Sequence, residues 1–79
     1  MISAYILIET EHRNSDKIIK ELRKIENVTK TSVIAGEYDI VVRVESNTLN
    51  NINKVTNKIR SISDIKSTNT HIIEKEIAI

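Results

Sequence analysis

Apolar side chains along this chain follow two periods, and the switches between them mark six elements. From Ile2 to Thr10 they alternate, with Ile2, Ala4, Ile6 and Ile8 on one side and Tyr5 and Leu7 on the other. A period of two that is apolar on both sides predicts a strand with neither face fully given to water. Residues 11–14 are polar and read as a loop. Ser15 is placed to cap a helix, with Asp16 in its first turn near the positive end. Ile18, Leu22 and Ile25 then recur at spacings of four and three, with Ile19 beside them, which predicts an amphipathic helix ending near Glu26. Asn27 suits a left-handed C-cap in place of glycine.

A return strand completes this half, and the second half repeats the order. Residues 28–35 are rich in Val, Ile and Thr and predict a second strand. Gly36, the only glycine, separates it from a third strand over 38–45, where Tyr38, Ile40, Val42 and Val44 alternate against Val41. Ser46 or Asn47 is placed to cap a second helix carrying Leu49, Ile52, Val55, Ile59 and Ile62 on one stripe. Asp64 closes that unit. The last strand runs over 65–77 and is clear as far as Ile73. An offset of 37 residues, as from Ile18 to Val55, also aligns Leu22 with Ile59, Ile25 with Ile62, Asn27 with Asp64, Val28 with Ile65, and Thr31 with Thr68. Two βα units, each with its return strand and joined by a hairpin, predict an α+β, ferredoxin-like βαββαβ sandwich. In it an antiparallel four-stranded sheet carries two helices on one face.

Size sharpens this picture. Seventy-nine residues make a single domain, 1–79. A chain this short buries only about 60% of its unfolded surface, so it gains from association. The sheet face away from the helices must carry Tyr5 and Leu7, or their opposite set, together with Val41 or its neighbours. A continuous apolar patch marks a partner surface, and the simplest partner is a second copy. There is no cysteine, which removes disulfides and thiolate metal sites and fits a reducing cytoplasm. No apolar run reaches the roughly 18 residues of a membrane helix, and Met1-Ile2-Ser3-Ala4 has no basic segment of a signal peptide. A cytoplasmic location is the default expectation.

Charge and chemistry exclude more than they propose. Twelve basic and eleven acidic side chains leave a net charge of +1, which argues against a nucleic-acid-binding field. Lys17, Lys20 and Lys24, and likewise Lys54 and Lys58, lie opposite the core stripes among Asp16, Glu21 and Glu26, and read as solvated faces. No helix-turn-helix fits, because paired strands separate the helices. His12 and His71 lack ligand spacing, and Glu9, Glu11 and His12 read as a solvated loop. The serines have no flanking glycines for a nucleophile elbow, and one glycine cannot build a phosphate-cradling loop. No catalytic set, metal site or cofactor is therefore expected.

One segment carries candidate chemistry: Ala35-Gly36-Glu37-Tyr38-Asp39-Ile40. Gly36 permits a tight turn, Tyr38 supplies an aromatic wall with a hydroxyl, and Asp39 puts a carboxylate at the head of an apolar strand. Backbone amides near Gly36 and the Asp39 carboxylate could hold the two charged ends of a zwitterion. A hairpin whose aspartate caps the turn fits the same residues.

The chain resembles the C-terminal effector-binding domain of the Lrp/AsnC (feast/famine) transcription regulators, also called the RAM domain. The carriers are Ala4-Tyr5-Ile6-Leu7-Ile8, Asn27-Val28, Gly36-Glu37-Tyr38-Asp39-Ile40-Val41-Val42, Leu49-x-x-Ile52 and Ile65-Lys66-Ser67-Thr68-Asn69-Thr70. The resemblance covers essentially the whole chain. It implies a ferredoxin-like sandwich that forms a homodimer through its open sheet face and often an octamer of four dimers. It also implies small amino-acid effectors bound between dimers, with Gly36, Tyr38, Asp39, Thr68 and Thr70 as candidate ligand-binding residues. Regulators of this family carry an N-terminal winged helix-turn-helix, whereas this chain opens on the first strand. It thus looks like a stand-alone form without direct nucleic-acid or membrane contact. Where the family tends to have a Pro-Gly loop and glycines before the second and fourth strands, this chain has Glu11-His12-Arg13, Asn27 and Asp64.

The function expected from this is non-enzymatic: amino-acid sensing and oligomerisation linked to transcription regulation. It would act by modulating DNA-binding Lrp/AsnC relatives. Two alternatives share the topology. A small dimeric ferredoxin-like enzyme would need a group such as His71 facing a sheet–helix cavity. An ACT-like regulatory domain would pair its sheets side by side rather than face to face.

Overall fold

The structure, a computed structural model, describes residues 1–12 and 15–79. Six elements follow the expected order: β1 (Ile2–Thr10), α1 (Ser15–Leu22), β2 (Val28–Val33), β3 (Ile40–Ser46), α2 (Leu49–Arg60) and β4 (Ile65–Ile72). The strands form one antiparallel sheet in the order β2-β3-β1-β4. Neither half folds beside itself. β1 lies between β3 and β4, and β3 between β2 and β1, so the strands of each half pair only with those of the other, as a split βαβ requires. The loop expected over 11–14 includes Arg13 and Asn14, which lie outside the described residues.

Alternation in β1 and β3 decides which face is covered. Ala4, Ile6 and Ile8 of β1 and Ile40, Val42 and Val44 of β3 are buried with Ile18 and Leu22 of α1 and Ile52, Val55 and Ile59 of α2. Their register partners confirm a single layer: Ala4 faces Val44, Ile6 faces Val42 and Ile8 faces Ile40. Ile25, Val28, Ile62 and Ile65 pack at the rim. The repeat therefore has a structural meaning. The pairs Ile18/Val55 and Leu22/Ile59 are buried, and Ile25/Ile62 and Val28/Ile65 close the two ends of the core in the same way.

Several boundaries differ from the pattern. Ser15 is the first residue of α1, and the helix ends at Leu22 rather than near Glu26. Tight turns carry the chain on, with Lys24 N bonded to Glu21 O and Ile25 N to Leu22 O, so Ile25 keeps its apolar contact without a helix. Asn27 does not adopt the left-handed conformation. It bonds β3 instead, through Asn27 Nδ2 to Glu45 O and Glu45 N to Asn27 O, both at 3.0 Å. Among the described residues, the non-glycine with positive φ is Asp64, at 74°, in the corresponding place of the second half. Thr48, not Ser46 or Asn47, caps α2: its Oγ1 accepts from Asn51 N at 3.1 Å. Ser46 is paired with β1, and its hydroxyl accepts from Asn51 Nδ2 at 2.6 Å. Leu49 opens the helix off the core stripe and is 51% exposed. Strands β2 and β4 stop at Val33 and Ile72, short of Ala35 and Ile77.

The face away from the helices presents Tyr5 and Leu7 of β1, Val41 and Arg43 of β3, and Asn69 and His71 of β4. Their registers place them together: Tyr5 faces Arg43 and His71, and Leu7 faces Val41 and Asn69. Tyr5, Leu7, Val41 and His71 line one apolar hollow there. The described residues include no helix long and apolar enough to cross a membrane.

Candidate ligand-binding site

Strand β2 ends at Val33 because the chain must turn before β3. Gly36 makes the turn at φ +138°, a backbone region that L side chains rarely adopt. An added Cβ at Gly36 would meet nothing within 4 Å, so the requirement is conformational and not steric. The chain is then clamped. Asp39 N donates to Ile8 O and Asp39 O accepts from Ile34 N, both at 2.9 Å. The Asp39 carboxylate reaches across the end of β1, where Oδ2 accepts from Thr10 N at 2.8 Å and from Thr10 Oγ1 at 3.1 Å. Asp39 thus holds the turn, as its capping role requires. Its backbone closes the hairpin at Ile34, and its carboxylate ties the turn to β1.

Beside this clamp lies a hollow of about 180 Å³ lined by Ser15, Val33, Ile34, Ala35, Gly36 and Asp39. It brings together two of the expected residues, Gly36 and Asp39. Its other walls are the start of α1 at Ser15 and two apolar side chains left in water, Val33 (59% exposed) and Ile34 (36%). Val33 and Ile34 are the site residues that the sequence pattern did not single out. Both belonged to the Val-, Ile- and Thr-rich segment read as the second strand, which outlasts the observed strand by two residues.

The other expected residues stand elsewhere in the monomer. Tyr38 precedes β3, so it escapes the alternation that buries Ile40. It crosses to the open face, where its hydroxyl accepts from Asn69 Nδ2 at 3.3 Å. Thr68 and Thr70 lie on β4 opposite Ile8 and Ile6, hence on the helix-covered side. Thr70 Oγ1 is 3.4 Å from Thr56 Oγ1 of α2. Ile8 relates the two groups: its carbonyl accepts from Asp39 on one side and its β4 partner is Thr68 on the other. Gly36, Asp39 and Thr68 therefore occupy the same end of the sheet, on opposite flanks of β1.

No group of three acidic or histidine side chains that could hold a metal ion occurs among the described residues. Glu9 accepts from Ser67 Oγ at 3.0 Å and lies 3.8 Å from Lys66 Nζ. His71 lies on the open face, away from the sheet–helix core where the enzyme alternative needs it.

Fold and hollow together define a small α+β sandwich with a polar-and-apolar niche at its β2–β3 turn and one bare sheet face. The chain belongs to the Lrp/AsnC ligand binding domain family, whose profile matches residues 3–78. It is 33% identical over 60 residues to homocitrate synthase of Sulfolobus acidocaldarius, covering 76% of this chain and 13% of that protein. It is 32% identical over 73 residues to the HTH-type transcriptional regulator LysM of Sulfurisphaera tokodaii, covering 91% of this chain and 52% of that protein. The chain thus spans from about an eighth to about half the length of these curated relatives. Among solved structures, FFRP-DM1 matches with a TM-score of 0.85 at 34% identity, over 92% of this chain and 99% of its own. A feast or famine regulatory protein from M. tuberculosis, solved in complex with L-methionine, shares the fold with a TM-score of 0.86 at 22% identity, over 100% of this chain and 54% of its own.

Proposed function

We propose that this domain senses an amino acid at the β2–β3 turn and assembles through its open sheet face, modulating DNA-binding Lrp/AsnC relatives by mixed assembly, without catalysis of its own. The hollow at Gly36 and Asp39 carries this reading. A zwitterion's ammonium suits the Asp39 carboxylate. Its carboxylate suits the amides near Gly36 and the positive end of α1 at Ser15. An apolar side chain suits Val33 and Ile34. The methionine complex of the M. tuberculosis relative supports the same ligand class. Tyr38, Thr68 and Thr70 enter this reading as contacts completed when dimers associate. The stacked face of Tyr5, Leu7 and Val41 favours face-to-face assembly over the side-by-side pairing of the ACT-like alternative.

Thermal melts with each of the twenty amino acids at millimolar concentration test the sensing half. A ligand at a hundred times its Kd adds about 2.7 kcal/mol, which raises the Tm by several degrees in a domain of this size. A flat response to all twenty sinks the sensing half. The homocitrate synthase match favours a second reading, in which the same kind of domain conveys effector binding to an enzyme. Co-purification with a helix-turn-helix relative supports the first reading, and co-purification with a synthase supports the second.

A further inference from the structure

Residues 73–79 leave β4 and return onto the open face. Ile73 N donates to Ser3 O at 2.9 Å, so the chain stays on β1 for one more step. Three residues later Glu76 meets Arg43 of β3. The tail has therefore crossed β1 on the side away from the helices, the side that Arg43 shares with its partner Tyr5. Arg43 is the fixed end of the contact. Its Nη2 and Nε donate to Glu76 at 2.6 and 3.2 Å, Nη1 donates to Glu45 at 2.6 Å, and the Thr29 and Ser3 hydroxyls accept at 3.3 Å. Tyr5 Oη donates to Glu76 at 3.5 Å. A forked guanidinium–carboxylate pair sets direction as well as distance.

This anchor holds out apolar groups. Ile77, next to Glu76, is 69% exposed, and Ile79 is fully exposed. Further along the same face, the Leu7–Val41 pair with Tyr5 and His71 lines the bare apolar hollow. The chain thus carries exposed isoleucines beside the Glu76 anchor and an apolar recess on the same sheet face. A two-fold axis between them would set the isoleucines of each copy over the recess of the other, which is the self-complementarity a two-fold interface needs.

We propose that residues 73–79 form a dimerisation arm: Glu76 pins it to Arg43 of its own sheet, and Ile77 and Ile79 dock on Tyr5, Leu7, Val41 and His71 of a second copy. This rests on assembly through the open face and adds the segment that completes the interface.

Sedimentation equilibrium over a micromolar concentration series tests it. The double variant Ile77→Ser/Ile79→Ser and the single variant Glu76→Ala are each expected to weaken the dimer about tenfold or more, as loss of buried aliphatic area or of its positioning does. Far-UV circular dichroism should stay unchanged for both variants, and at concentrations where all are monomeric the isoleucine variant should melt with the native chain. Leu7→Glu separates the two levels. If Leu7→Glu breaks the dimer while the isoleucine pair changes nothing, or tightens it, the arm is overturned and the face stands. If Leu7→Glu also changes nothing, or the native chain stays monomeric throughout, both are overturned.

Discussion

Asp39 and Thr10 are joined by two hydrogen bonds to one carboxylate oxygen, from the Thr10 amide at 2.8 Å and its hydroxyl at 3.1 Å. The pair closes the end of β1 and fixes the β2–β3 turn to the centre of the sheet. Hydrogen bonds to a charged group contribute about 1.5–3 kcal/mol each when partly shielded. Asp39→Ala should therefore lower stability by at least about 2 kcal/mol in urea unfolding, and Thr10→Val, which removes only the hydroxyl, by less. Equal losses would mean that the amide bond contributes nothing.

Gly36→Ala probes the turn itself. Nothing stands within 4 Å of the added Cβ, so the cost comes only from φ +138°. A destabilisation of about 1–3 kcal/mol is expected, with no new cavity or clash to repair. Unchanged stability would mean that the turn relaxes to a negative φ.

The cap of α2 separates three neighbouring polar residues. Thr48→Ala should cost about 0.5–2 kcal/mol, because its hydroxyl oxygen accepts from Asn51 N. Asn47→Ala should stay within about 0.5 kcal/mol, as an exposed substitution away from such features does. The reverse order in thermal melts would return the cap to Asn47.

Acid should release the tail. Hydrogen bonds from Arg43 hold the Glu76 carboxyl below its ordinary value of 4.5, outweighing a desolvation that pushes the other way. The same bonds hold the Arg43 guanidinium more firmly in its charged form. A depressed folded value gives stability that is present above the unfolded value and lost as pH falls through the folded one. The stability gap between the native chain and Glu76→Gln should accordingly be open at neutral pH and close well below pH 4.5. Salt should narrow it, since both groups sit at the surface. A gap unchanged on acidification would remove Glu76 from the acid response.

How far the chain could be read in advance follows from where its information lies. Ile18, Leu22, Val55 and Ile59 repeat in register because each helix needs one apolar stripe over the same sheet, and that need is local. The αL residue was not legible in the same way. Asn27 and Asp64 are equivalent in the repeat, yet Asp64 alone takes φ 74° while Asn27 spends its side chain on Glu45 of the neighbouring strand. Tyr38 was misplaced because alternation holds only inside a strand, and β3 begins two residues later.

The amino-acid sequence by itself determined the elements and their order, since periods of two and of three to four residues are set by backbone geometry alone, while which side of the sheet the helices cover was left to the tertiary structure. Tertiary structure decided which of the expected site residues meet. Gly36 and Asp39 share a hollow, whereas Tyr38 lies on the open face and Thr68 and Thr70 under the helices. Those placements depend on strand register across the sheet, and register is a property of pairs of strands that no single segment encodes. The hold of Glu76 on Arg43, 33 positions apart in the chain, is of the same kind.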